Sequence, residues 1–370
     1  MTLHSLESFY NLAFYLALES PKSLFGKSDA EGMQMVDIGK LPRPVLDLRS
    51  NLRREYASSL HMLLRQTLVQ KATDPRDKIY GLLGLSSDFR SGGICPRYDY
   101  PVREVFLDVV KSQFQKYDSL DILDHCAFQH TGKLGLPSWV PNWVGHAEAA
   151  PVPKYFVYNN HEPRPVFDAY GGLSLSSRPW SFGEANSLRL TGACFDTIAS
   201  VTEMADFRNG WTLETLLEAW MPTVPTAGAK YPFAPGTWQE ARRTTIVVDC
   251  RSLPSERGVS MVFPDDPDSK EQALLSDRLN EARWSSYEAC VMKRLAYTSK
   301  GLMGLVRQET KVGDSVAVLA GSKVLHCLRQ VEETKSSGDQ RYHLIGEAYF
   351  RGIMDGEIME GLELGDIILV

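Results

Sequence analysis

The first half of the chain is patterned at helical spacing. Leu52, Tyr56, Leu60, Leu63, Leu64 and Leu68 recur at three- and four-residue steps, which places them on one face of a helix over residues 48–70. The apolar-leaning stretch from Leu6 to Leu18 predicts another helix within residues 1–20, and Pro42 and Pro44 punctuate the loop between the two. Asp74 followed by Pro75 has the form of an N-cap with proline in the first turn. Ile79, Leu82 and Leu83 would then be the buried face and Gly84 the stop. Pro101 opens a further amphipathic helix, with Val102, Val105, Phe106, Val109, Val110 and Phe114 on one stripe. Leu120 to Cys126 reads as a short helical or extended piece. Residues 135–143 cannot be helical throughout, because Pro137 and Pro141 stand four apart. They predict an irregular segment crossing the core, anchored by Trp139 and Trp143.

The pattern changes after residue 150, where Pro151, Pro153, Pro163, Pro165 and Pro179 mark a loop-rich stretch. Residues 187–198 alternate with the period of a strand. Residues 211–220 read as helix, 222–236 as loop and 264–281 as polar surface. Residues 314–320 and 323–329 are two short strands joined around Gly321-Ser322, a hairpin signal. Residues 332–340 form a polar loop, 342–350 and 365–370 further strands, and Gly301 to Gly304 turns between strands. The fold class expected is α+β: a helical N-terminal half packed on a mixed half that ends in a small antiparallel β-barrel or sandwich. Residues 1–145 would form the mainly helical region and 146–370 the mixed one, with a β subdomain over about 290–370.

Composition narrows the function classes. With 43% hydrophobic and 23% charged residues, the 370-residue chain is of ordinary globular make-up rather than disordered or fibrous. Forty Lys and Arg against 46 Asp and Glu give a net charge of −6, which speaks against a nucleic-acid partner. No run approaches the ~20 apolar residues of a membrane span. The leading stretch carries Glu7 and Asn11 and no basic lead-in, so a cytoplasmic location is expected. Cys95, Cys126, Cys194, Cys250, Cys290 and Cys327 include no CxxC pair and read as reduced, mostly buried thiols.

Reaction motifs are absent: no GxSxG, HExxH, GxGxxG or Walker loop occurs, and no cofactor is expected. His125, Cys126 and His130, with Asp121 or Asp124, would be the nearest metal set. A gap of five between the histidines suits neither a helix face nor a strand face, so no metal is expected. Cys126 and Cys327 adjoin His125 and His326, but adjacent side chains rarely face each other. No catalytic residue is assigned. Arg76, Lys78 and Tyr80 read either as a polar pocket wall or as a helix N-terminus with local ion pairs. Trp139, Trp143 and Trp180 would shape an aromatic pocket, or the first two plug a core. Glu347 sits inside an apolar strand, where a carboxylate is costly unless paired with Arg294, Arg307, Arg329 or Arg351. These seven residues are the substrate-binding candidates.

Residues 72–85 (Ala-Thr-Asp-Pro-Arg-Asp-Lys-Ile-Tyr-Gly-Leu-Leu-Gly-Leu), 98–109 (YDYPVREVFLDV), 136–143 (Leu-Pro-Ser-Trp-Val-Pro-Asn-Trp) and 344–357 (Leu-Ile-Gly-Glu-Ala-Tyr-Phe-Arg-Gly-Ile-Met-Asp-Gly-Glu) stand in this order. Together with the Lys311-Val-Gly-Asp314 turn they resemble fungal heterokaryon-incompatibility (HET) proteins, in the region downstream of the effector domain. The resemblance runs from about residue 48 to 360. The effector stretches of that family, similar to LSYxWG, WIDxxCINQ and RxWVxQE, do not occur in these 370 residues. The resemblance therefore implies a fungal origin and a fold, while the family's cell-death response between unlike strains is attributed to the part not seen here. Two functions follow as expectations. One is a cofactor-independent enzyme of fungal specialised metabolism, a cyclase or pericyclase of the intramolecular Diels–Alder type that holds an apolar small-molecule substrate in a reactive conformer. The other is a shortened incompatibility or allorecognition protein that acts by binding a protein partner.

Overall fold

Ser59 starts the first helix of the structure by accepting the Met62 N–H on its hydroxyl (3.4 Å). The structure is a computed structural model that describes residues 59–67, 70–86, 93–126, 134–144, 155–156, 164–165, 167–175, 177–205, 211–220, 228–248, 289–331 and 340–370. Helix α1 is Leu60–Gln66, with Leu60, Leu63 and Leu64 buried as their spacing predicts. Leu52, Tyr56 and Leu68, and the helix expected within residues 1–20, lie outside the described residues.

Helix α2 is Asp77–Leu83, two residues later than the Asp74 cap implies. The reason is local. The Asp74 carboxylate is taken up by Arg76, accepting its backbone N–H (2.9 Å) and its guanidinium (3.0 and 2.8 Å), so it caps a turn rather than the helix. Gly84 ends the helix at an ordinary φ of −66°, without using the left-handed freedom of glycine. Ile79 and Leu83 are buried and Leu82 partly so. Helix α3, Val102–Tyr117, buries Val105, Phe106, Val109, Val110 and Phe114 and stops at Asp118, whose φ of 49° turns the chain out of the helix. A 3₁₀ turn follows at Asp121–His125.

The strands are β1 (Tyr155–Phe156) and β2 (Arg164–Pro165), which pair with each other, then β3 (Trp180–Phe182) and β4 (Leu188–Val201). Helices α4 (Leu213–Trp220) and α5 (Trp238–Ile246) precede β5 (Lys293–Thr298), β6 (Met303–Arg307), β7 (Ser315–Leu319), β8 (Leu325–Gln330), β9 (Arg341–Phe350) and β10 (Gly365–Leu369). The expected hairpin is β7–β8, closed through Gly321 at φ 83°. The described part of the loop expected at 222–236, residues 228–236, is irregular, and α5 follows it, opening with a reciprocal cap between Thr237 and Glu240. The overall class is α+β.

Six strands pair antiparallel in a closed ring, β4–β5–β6–β9–β8–β7 and back to β4. The 14-residue β4 makes closure possible by changing partners along its length. Its first residues pair with β10, its middle with β7 and its end with β5. The hand-over falls at Gly192, which faces both Gly365 and Leu319, and where a Cβ would stand 2.6 Å from the Val318 carbonyl oxygen. Strand β10 lies antiparallel to β4 and parallel to β9.

Two cores result. One joins α1, α2, α3 and Trp139 and Trp143 to apolar side chains of the strands, among them Leu188, Leu190, Leu319 and Leu344. The other joins α4 and α5 to Leu305, Val316, Val318 and Phe350. The irregular Trp139 segment is stitched to the sheet by Ser138. Its N–H donates to the Val370 carbonyl (2.9 Å), and its hydroxyl accepts the Leu344 N–H (2.8 Å). Among the described residues no helix is long and apolar enough to cross a membrane.

Gly301 is a turn glycine at φ 89°, but Gly304 is not: it lies inside β6, opposite Phe350. A Cβ there would collide with the Tyr349 carbonyl oxygen and stand 2.5 Å from the Phe350 ring. The backbones of β6 and β9 thus approach as only glycine allows. Gly304→Ala is expected to cost about 1–3 kcal/mol, whereas Gly81→Ala, in helix α2 with open space around it, is expected to stabilise by about 0.5–1 kcal/mol. Urea denaturation of the two variants checks the contrast.

Candidate functional site

The seven residues singled out in the sequence fall in three places. Around the start of α2, the Arg76 guanidinium donates to the Tyr98 and Tyr100 carbonyls as well as to Asp74, clamping the 97–100 turn to the helix. The Lys78 ammonium donates to the carbonyls of Thr67 (2.9 Å) and Gln70 (2.6 Å) just past α1, and burial pulls its pKa down. Tyr80 donates to the Arg97 carbonyl (3.2 Å) and meets the Tyr98 ring edge-on.

The tryptophans form the second group. Trp139 is fully buried, donates to the Asn186 carbonyl (3.0 Å) and stacks on Phe182. Trp143 packs edge-on against Phe106 at 4.9 Å. Trp180 donates to the Asp118 carboxylate (2.7 Å) and packs on Phe114. All three belong to the core beneath the helices.

Glu347 is the third place, and it is 1% exposed. Its Oε2 accepts from Arg307 Nε (3.1 Å) and Nη2 (2.9 Å), and Lys293 Nζ stands 3.7 Å from Oε1. Four neighbouring strands build this group on one rung. Lys293 faces Arg307 across β5 and β6, and Glu347 faces His326 across β9 and β8. Arg307 Nη2 also donates to the Asp124 carbonyl (3.1 Å), and the Asp124 carboxylate lies 3.9 Å from His326 Nε2. The rung thereby ties the strand ring to the 3₁₀ turn of the helical layer. Gly346 makes room for it, since a Cβ there would stand 2.7 Å from Arg307 Cγ.

Burial alone would push the Glu347 carboxyl up. The charges of Arg307 and Lys293 and the Arg307 hydrogen bond outweigh it and hold the group below the usual carboxylate range. Of the four arginines considered as partner, Arg307 is the one. Arg329 forms a two-bond pair with Asp314 (2.8 Å each), and Arg294 donates to the Thr202 carbonyl. Burial drives the Cys126 and Cys327 thiols upward, the opposite of an activated nucleophile. Among the described residues no three His, Cys, Asp or Glu side chains could hold a metal ion, and His130 lies outside them.

The structure also has a surface cleft of about 260 Å³ that none of the seven residues lines. Its apolar wall is Phe167, Phe233, Tyr349 and Met354, and Arg351, Asp355 and Glu357 bring charge to it. Its turns are fixed by close glycine contacts. A Cβ on Gly352 (φ 89°) would run into the Phe233 carbonyl, and one on Gly356 (φ 90°) into the Gly171 backbone. Tyr231, buried so that its pKa rises to about 12, bridges the floor by donating to the Arg351 carbonyl (3.1 Å) and accepting the Met303 N–H (3.2 Å). Periodicity could not find this site, because its residues come from turns far apart in the chain.

The ion pair generates a stability prediction. Glu347→Gln leaves Arg307 and Lys293 without their counter-charge and is expected to cost ~3–5 kcal/mol at neutral pH. The folded-state carboxyl titrates below its unfolded value, so its contribution is complete above the ordinary carboxylate range and is lost as pH falls through the folded value. The stability gap between the native chain and Glu347→Gln, measured by urea denaturation, should therefore close below about pH 4. A gap unchanged from pH 7 to pH 3 would show that the charge is not its source.

The comparisons with known proteins agree with this architecture. The Het-6 beta-barrel domain family matches residues 265–370. Heterokaryon incompatibility protein 6, OR allele, of Neurospora crassa is 26% identical over 369 residues, covering 80% of this chain and 51% of the relative. The chain thus spans about half the length of the curated relative it matches. No solved structure matches. Both the domain at the C-terminal end and the long alignment make the chain similar to proteins of the heterokaryon-incompatibility (HET) family.

Proposed function

We propose that this chain acts in fungal self/non-self recognition as an incompatibility-type protein, by binding a protein partner rather than by catalysis. The observation that carries this reading is the alignment with heterokaryon incompatibility protein 6, which extends well beyond the 265–370 domain into the helical layer. On this reading the six-strand ring is the Het-6 barrel. Strands β5 to β10 lie within the matched residues, and β4, from outside them, closes the ring.

The cyclase reading needs a chamber that encloses an apolar molecule, and pockets for such ligands run to roughly 300–1,000 Å³. The cleft described among these residues is smaller and charged, and the tryptophans expected to line a chamber are packed in the core. Deleting the gene in its native fungus and confronting the mutant with unlike strains tests the proposal. The expected result is an altered reaction at the contact zone with an unchanged metabolite profile. Loss of a cyclised product, with build-up of a precursor of the same mass, would overturn it in favour of the cyclase.

A further inference from the structure

We propose that the edge-on contact between His61 and His125 is an acid-sensitive latch, which holds the helical layer on the strand ring while the imidazoles are neutral and opens when both are protonated. Four histidines lie among the described residues, and three of them, His61, His125 and His326, stand in the seam between α1, the 3₁₀ turn and β8. The His61 and His125 ring centroids are 4.7 Å apart. His125 is 4% exposed and His326 is fully buried. Two imidazolium charges at that separation repel each other, and the more strongly where water is scarce. Histidine is the side chain that takes up its proton just below neutral pH, so a modest acidification reaches this contact before it reaches any carboxylate.

The seam is already positive before any histidine titrates. Helix α1 brings Arg65, one turn on from His61, and α2 brings Lys78, whose ammonium donates to the Thr67 and Gln70 carbonyls. The 3₁₀ turn brings Asp121 and Asp124, with the Asp124 carboxylate 3.9 Å from His326 Nε2. The ring beneath brings Arg307, Lys293 and Glu347. The buried face of α3 carries no charge, only apolar side chains and Gln113, and burial keeps the Cys126 thiol neutral. Four cations thus stand against three carboxylates, and each added proton widens the excess. Neutral, buried imidazoles contribute stability above the ordinary histidine value and lose it as pH falls below that value. The Glu347 pair fails later, because its carboxyl titrates below the usual carboxylate range. Mild acid therefore opens the seam while the ring stays closed. Leu60 and Leu64 of α1 and Ile122 and Leu123 of the turn are buried in the shared core, so opening exposes apolar surface that the closed form hides.

The test is amide hydrogen exchange on the full chain at about pH 7 and about pH 5.5, corrected for the intrinsic pH dependence of exchange. The seam is read at Leu63, Leu123 and Cys126, whose N–H groups donate to Ser59, Leu120 and Leu123, and the ring at Val306 and Ala348, which face each other across β6 and β9. Protection in the seam is expected to fall about tenfold or more, since each proton taken up on opening is worth up to tenfold per pH unit below the ordinary histidine value. Protection in the ring should hold. In His125→Gln the fall in the seam should shrink to about threefold or less, because no second imidazole then opposes His61. If that variant does not fold, His61→Gln, at a half-buried position, serves in its place. Seam protection that is the same at both pH values would overturn the proposal, as would an equal loss in seam and ring. So would a fall as large in the variant as in the native chain. A fall kept in His125→Gln but abolished in His326→Gln would also overturn it, by placing the sensitivity at the Asp124 contact.

Discussion

A carboxylate with almost no exposure, held between an arginine and a lysine, is the constraint on which the two halves of this protein depend. Moving such groups out of water costs several kcal/mol each. The cost is recovered only if the geometry brings Arg307 and Lys293 to Glu347, and that requires β5, β6 and β9 to be paired in one register. Arg307 reaches further, to the backbone of Asp124, so the same guanidinium that pairs with Glu347 also fastens the 3₁₀ turn after α3. A slipped register would leave buried charges unmatched, which makes the network a determinant of specificity as well as of stability.

The ring itself depends on where bulk is missing. Gly192 lets β4 change partners, Gly304 lets β6 close on β9, and Gly346 lets the Arg307 side chain cross the sheet. The ring cannot close within residues 265–370, since β4 lies outside them. The stretch before that domain therefore completes the ring as well as supporting the helices. The same economy shapes the surface: Gly352 and Gly356 fold the turn that carries the cleft.

Much of this was legible in the sequence where burial has a period. The stripe of α3, the face of α1 and the hairpin at Gly321 follow directly from spacing. Other features were visible but overridden by stronger cues. The Thr237-x-x-Glu240 cap announces α5 just past the proline-rich loop expected at 222–236, where spacing alone assigns no element. Gly304 looked like a turn because glycine in a strand is costly, and only the approach of Tyr349 explains it. Glu347 was marked as needing an arginine. Which one it was depends on strand pairing, and no spacing rule contains that. Trp139 and Trp143 read both as pocket and as core and Trp180 as pocket alone, whereas all three belong to the core beneath the helices. The cleft joins residues from positions 167, 233 and 349–357, so only the folded chain brings it together.

The central claim is that one charged rung fastens the helical layer to the strand ring. Amide hydrogen exchange on the Arg307→Met variant tests it most directly. The account predicts faster exchange not only in β6 and β9 but also at Leu123 and Cys126, whose N–H groups close the 3₁₀ turn. Exchange unchanged at those two amides, with loss of protection confined to the strands, would contradict it.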